Sequence, residues 1–187
     1  MDVDSDADVI AASMVQPDRF GVIFDRHATA LFRYLVRRVG VDAADALLGE
    51  LFRVAFEKRH GYDLARPNAR PWLYGIAVRL LAHHKRSEAR RLNATARLLA
   101  ERGSTDPSEG TVDQLDASRL WPVVARGVAG LPEAERDALL LYVWEQLSYD
   151  EIAVATGVPV GTVRSRLNRA RLTLRELRAP SGRQHDD

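Results

Sequence analysis

The sequence predicts an all-α protein of two small helical domains joined by a flexible acidic linker. Three observations carry that reading. Apolar residues recur at intervals of three and four through most of the chain, the period of a one-sided helix. Alternating strand patterns are almost absent, and no Asn-Gly or Asp-Gly pair marks a hairpin. One polar, breaker-rich stretch, Gly103-Ser104-Thr105-Asp106-Pro107-Ser108-Glu109-Gly110, divides the helical material in two. A length of 187 residues allows one or two domains.

The first 17 residues are acidic, small and without periodicity, and are expected to be disordered. Helical spacing starts with Phe20, Phe24, His27, Leu31 and Leu35, which share one face, and Gly40 ends that helix. Asp42 is placed to cap a second helix with Leu47, Leu48, Leu51, Phe52, Ala55 and Phe56 on its apolar side. Residues 61–70, with Pro67 and Asn68, form a loop. Pro71 suits the first turn of a third helix. Leu73, Ile76, Ala77, Leu80 and His84 make that helix's apolar side, while Trp72, Arg79, His83, Arg86 and Arg90 fall on another stripe. The expected boundaries are a domain over 18–100, a linker over 101–118, a second domain over 119–178 and a tail over 179–187.

In the second half, Leu131-Pro132-Glu133 starts a helix with acids in its first turn, where the helix dipole favours them. Ser148-Tyr149-Asp150-Glu151 is a capping box, and Gly157 is a left-handed stop. Pro159 then opens another helix almost at once, so the two form a helix-turn-helix. The last helix buries a stripe of Val163, Leu167, Ala170, Leu174 and Leu177. Thr162 lies in its first turn. Arg164, Ser165, Asn168 and Arg169 fall away from the stripe and suit base edges in the major groove. Arg171, Arg175 and Arg178 suit phosphates.

Charge supports a polyanionic partner. Residues 71–102 hold seven bases against two acids, and residues 159–178 hold six arginines against Glu176. Between them, residues 103–118 hold four acids and no base. Two solvated helix faces would give the same pattern, but an aromatic followed by cations, as from Trp72 to Arg90, also suits single-stranded DNA. Taken alone, Trp72 is better suited to a core position, since large aromatics are usually well buried.

Other chemistry is poorly supplied. With no cysteine, disulfides, thiolate zinc sites and thiol nucleophiles are excluded. His83 and His84 project about 100° apart on a helix and chelate poorly. His84 and Glu88 lack an evident third ligand, and His60 near Asp63 reads as loop polarity. No phosphate-binding glycine loop or Gly-x-Ser-x-Gly is present. Neither an enzyme, a metal nor a cofactor is expected. The acidic start is not a secretory signal, and no apolar run approaches the roughly 20 residues that span a bilayer. A cytoplasmic protein without membrane contact is the simplest reading.

The run from Leu131-Pro132-Glu133 through Leu140-Leu141-Tyr142, Leu147-Ser148-Tyr149-Asp150-Glu151-Ile152-Ala153 and Gly157-Val158-Pro159-Val160-Gly161-Thr162-Val163-Arg164-Ser165-Arg166-Leu167 closely resembles region 4 of bacterial RNA polymerase sigma factors. The extracytoplasmic-function (ECF) group matches best. Pro71-Trp72-Leu73 resembles the start of the promoter-melting helix of sigma region 2. The resemblance implies that Thr162, Arg164, Ser165, Asn168, Arg169 and Arg171 contact the −35 element. It implies that Tyr62, Asn68, Trp72, Arg79, His83, Arg86 and Arg90 serve the −10 element and melting. Asp45, Glu50, Arg53 and Glu57 match the contact with core RNA polymerase. The implied partners are core polymerase, promoter DNA and an anti-sigma factor. The chain departs from the family pattern at Arg79, commonly asparagine, and at Ala46, commonly an acid. Two readings stand beside this one: an independent helix-turn-helix regulator, which leaves Trp72 and the first basic block unexplained, and a helical adaptor that binds only proteins.

Overall fold

The computed structural model describes residues 4–101 and 121–178, with side chains over 4–92 and 126–176. The described residues form α-helices and short 3-10 turns, with no strand among them. The first four helices are α1 (Asp6–Ser13), α2 (Gly21–Val39), α3 (Val41–Lys58) and α4 (Arg70–Glu101). The second group is α5 (Trp121–Gly130), α6 (Glu133–Val143), α7 (Tyr149–Thr156) and α8 (Val160–Arg178). The breaker-rich stretch at 103–110 and the tail lie outside the described residues.

Helix α1 corrects the expectation of disorder before residue 18. Its aspartates are not idle charges. Ser5 and Asp8 form a capping box, in which the Asp8 N–H donates to Ser5 Oγ at 3.2 Å and the Ser5 N–H donates to Asp8 Oδ2 at 2.9 Å. Asp4 pairs with Arg19 at 3.1 Å. Val9 and Ile10 are buried in the core beside Phe20 and Ile23. A helix of eight residues is marginal alone, so these tertiary contacts hold it in place.

Helices α2 and α3 pack against each other and against α4. Leu31, Leu35, Leu51, Ala55, Leu73, Ile76, Ala77 and Leu81 are buried between them. Phe24 departs from its expected face: it is 45% exposed, its ring 4.7 Å from that of Phe52. Gly40, at φ 80°, ends α2 and caps α3 at once. Asp42 makes no capping hydrogen bond. It sits in the first turn of α3, where the helix dipole is its partner.

The second unit follows the expected caps. Glu133 and Glu135 occupy the first turn of α6. The Glu151 N–H donates to Ser148 Oγ at 3.2 Å, and the Ser148 N–H returns to Glu151 Oε2 at 2.8 Å. Gly157 takes the left-handed conformation at φ 67°. Val163, Leu167 and Ala170 are fully buried, and Leu174 packs partly buried against them.

The two units touch directly. Helix α4 lies against α7 so closely that a Cβ on Gly75 would stand 2.6 Å from the Ala155 carbonyl oxygen. Only a glycine permits that approach. The Arg70 guanidinium donates to the Glu145 carbonyl at 2.9 Å, and the buried Tyr74 hydroxyl donates to the Glu145 carboxylate. Arg37 lies 5.1 Å from the centre of the Trp144 ring.

Candidate nucleic-acid interface

The buried stripe of α8 turns its opposite face to solvent. Arg164, Ser165, Asn168, Arg169 and Arg171 are exposed together along it, whereas Thr162 is half-buried. Ser165 donates back to the Gly161 carbonyl at 3.0 Å. Two cations are pre-oriented by α6. Arg169 Nε donates to Glu135 Oε1 at 2.7 Å while its side chain stays 56% exposed. Arg171 lies over the Tyr142 ring at 5.5 Å. One edge of the Arg169 fork is thus tied back, leaving its other donors for a polyanion.

A second cationic face runs along α4. Arg79, His83, Arg86 and Arg90 are exposed on the expected stripe. Trp72, at the head of this stripe, is half-buried, its ring 5.1 Å from that of Tyr62.

Tyr62 turns inward, away from the exposed stripe. It is 6% exposed and its hydroxyl donates to the Arg66 carbonyl at 2.6 Å. Burial, with Asp6 and Asp63 nearby, pushes its pKa up to about 12. The phenol therefore braces the inside of the 61–70 loop. Asn68 is exposed, but its Oδ1 accepts the Arg70 N–H at 2.9 Å, so part of it caps α4. The loop tip presents Leu64, 46% exposed, between Asp63 and Arg66, which pair at 3.1 Å.

The face of α3 carries a chain of charges. Arg53 bridges Glu50, at 2.6 Å, and Glu57. A hydrogen bond from Arg53 keeps the Glu50 carboxyl below its ordinary range. Asp45 is exposed one turn before them.

Sequence reasoning missed the buried polar residues Asp6, Asp137 and Glu145. The Ser-x-x-Asp spacing of residues 5 to 8 was a legible helix start. Nothing local marks Asp137 or Glu145. No group of three or more His, Cys, Asp or Glu among the described residues is placed to hold a metal, and no described helix is long and apolar enough to cross a membrane.

The family model for sigma-70 region 4 matches residues 124–174, which hold the helix-turn-helix. The ECF RNA polymerase sigma factor SigL of Mycobacterium tuberculosis (strain ATCC 25618 / H37Rv) is 32% identical over 181 residues, covering 91% of this chain and 97% of that protein. The chain belongs to the ECF sigma factors. The ECF sigma factor SigW of Bacillus subtilis (strain 168) is 28% identical over 166 residues, covering 85% of this chain and 88% of that one. Two solved structures share the fold. CnrH, solved with the cytosolic domain of CnrY, has a TM-score of 0.64 at 22% identity, covering 95% of this chain and 99% of that one. The sigma factor RpoE, solved with the anti-sigma factor NepR from Bartonella quintana, has a TM-score of 0.59 at 22% identity, covering 88% and 99%.

Membership decides between the readings left open by the sequence. As an ECF sigma factor the chain binds core RNA polymerase and promoter DNA and directs transcription initiation. Sigma factors are not enzymes, so the chemistry of RNA synthesis belongs to the polymerase. An independent helix-turn-helix regulator and a protein-only adaptor are both set aside.

Proposed function

We propose that this ECF sigma factor reads a promoter with two separate faces. The exposed face of α8 enters the −35 major groove, with Arg164, Ser165, Asn168 and Arg169 toward bases and Thr162 and Arg171 toward phosphates. The 61–70 loop, through Asn68, and the α4 stripe of Trp72, Arg79, His83, Arg86 and Arg90 hold the opened −10 strand. The charged face of α3, with Asp45, Glu50, Arg53 and Glu57, docks on core polymerase. The chain works in the cytoplasm, where that polymerase is. An anti-sigma factor restrains it, a reading supported by RpoE, a sigma factor of the same fold solved with one bound.

The observation that carries this reading is the polar face of α8, fixed in register by the buried Val163, Leu167 and Ala170. The touching units add a requirement. Elements centred at −10 and −35 are about 25 base pairs apart, or about 85 Å of B-form duplex. Helices α4 and α7 in direct contact cannot reach both, so the units part on the promoter.

The deciding experiment is run-off transcription with reconstituted core polymerase on templates from a genomic library, followed by mapping of the start sites. Starts preceded by a shared pair of elements, and lost with Arg164→Ala or Asn168→Ala, are expected. Initiation that ignores these two substitutions would remove α8 from promoter reading.

A further inference from the structure

Asp6 joins three elements that the sequence keeps far apart. Its backbone N–H donates to the Pro67 carbonyl at 3.0 Å. Its carboxylate Oδ2 accepts the Ala69 N–H at 2.9 Å and lies 2.8 Å from His27 Nε2. Its Oδ1 accepts from Arg26 Nη1 at 2.9 Å. The 61–70 loop is therefore stitched to residue 6 at two points, once through its backbone and once through its side chain, just before α4 begins. Ala69, the root of the loop, is fully buried, while the tip residues Asp63, Leu64 and Arg66 are exposed.

We infer that Asp6 is a positioning residue for promoter opening, fixing the 61–70 loop at the head of α4 so that its tip and Trp72 meet the −10 strand in one geometry. This rests on the reading of that loop as a −10 contact. Several features of the site support it. The carboxylate is ionised: burial opposes the charge, but hydrogen bonds from His27, Ala69 and Arg26 outweigh it and hold its pKa well below the carboxylate range. Without it, the Ala69 N–H is buried with no acceptor and two side chains lose their partner. The loop root then has no single position. Displacements of about 1 Å are enough to disrupt a site that depends on alignment. An acidic N-terminal segment thus shapes a DNA-facing surface without touching DNA.

The test uses holoenzyme assembled from core polymerase and the full chain, on template libraries randomised separately at −10 and −35. Open complex is read by permanganate reactivity of unpaired thymines. Asp6→Ala is expected to flatten the −10 base preference and to lower open complex about tenfold, while the −35 preference and core binding hold. Asp6→Asn retains an acceptor for Ala69 and restores part of the loss. Ser5→Ala, which weakens α1 but makes no loop contact, is the control for stability alone. If Asp6→Ala lowers every signal in step with folded protein, as Ser5→Ala does, Asp6 only holds α1 and the inference is overturned. Should Asp6→Ala fail to fold, Asp6→Ser, whose side chain is too short to keep the Ala69 bond, takes its place, and an unaltered −10 preference in it overturns the inference equally. Asn68→Ala and Leu64→Ala separate the two levels. If both leave the −10 preference intact, the loop reading itself fails. If they change it and the Asp6 variants do not, only the positioning role falls.

Discussion

Arg38 on α2 and Asp137 on α6 form a buried ion pair across the junction of the two helical units. The atoms lie 2.7 Å apart, with side chains 4% and 7% exposed. Arg38 Nη2 faces Asp137 Oδ1 directly, so the two opposite charges meet out of water. Arg38 Nη1 meanwhile donates to the Tyr34 hydroxyl at 3.1 Å. Burial raises the Asp137 pKa in spite of the arginine beside it.

Removing one partner of such a pair costs about 3–5 kcal/mol, because the other charge stays buried. Here the molecule has an escape, since parting the units returns Asp137 to water. Arg38→Ala is therefore expected to open the chain rather than unfold it. Small-angle scattering should show a larger radius of gyration, with the unfolding of each helical unit little changed. An unaltered radius would mean that the pair does not hold the units together.

Gly75→Ala tests the same junction without altering charge. The added methyl group meets a backbone carbonyl, which cannot swing aside as a side chain can. The same expansion in scattering is expected, although alanine favours the helix by about 1 kcal/mol. A more compact or unchanged chain would contradict the close approach of α4 and α7.

Substitutions on α8 should divide by role. Arg164→Ala and Asn168→Ala are each expected to cost about 1–3 kcal/mol of holoenzyme binding and to relax preference at one −35 position. Arg171→Ala should weaken all sequences alike and lower the salt slope by about one. Titrations of promoter duplex at several salt concentrations distinguish the two patterns. Glu135→Gln should loosen Arg169 and act as a weak form of Arg169→Ala.

The Ser148 cap carries a local stability prediction. Ser148→Ala removes the acceptor of the Glu151 N–H, and losses at such positions run at about 1 kcal/mol. Chemical denaturation should show the helix-turn-helix weakened by that amount and α1 to α4 unaffected.

Acid should destabilise the N-terminal unit through Asp6. Asp6 has a folded-state pKa below its unfolded value, so its stabilisation is present above about pH 4 and is lost as pH falls. Circular dichroism across the acid range should show helix content lost as Asp6 is protonated. Asp6→Asn should remove much of the acid sensitivity of α1 to α4.

The helix-turn-helix was legible because its information is local. Ser148, Glu151 and Gly157 act within a few residues of one another, and the buried stripe of α8 follows from helical period alone. Local signals also placed Gly40, Pro71 and the start of α6. They failed at α1, where aspartates without periodicity read as a disordered tail. Asp6 is held by Arg26, His27 and Ala69, and such partners are invisible along the chain. Tyr62 shows the same limit, since its placement in a promoter-facing loop gave no sign that its hydroxyl turns inward.

By itself the sequence determined the helices, their caps, the cationic faces of α4 and α8 and the resemblance that proved to be the family. These depend on period, propensity and charge, which act over one or two helical turns. Only the tertiary structure decided that the acidic start is a core helix, that Asp6 grips the 61–70 loop and that Arg38 meets Asp137. Burial and ion pairing depend on distance in space, and these groups become neighbours only when the helices pack.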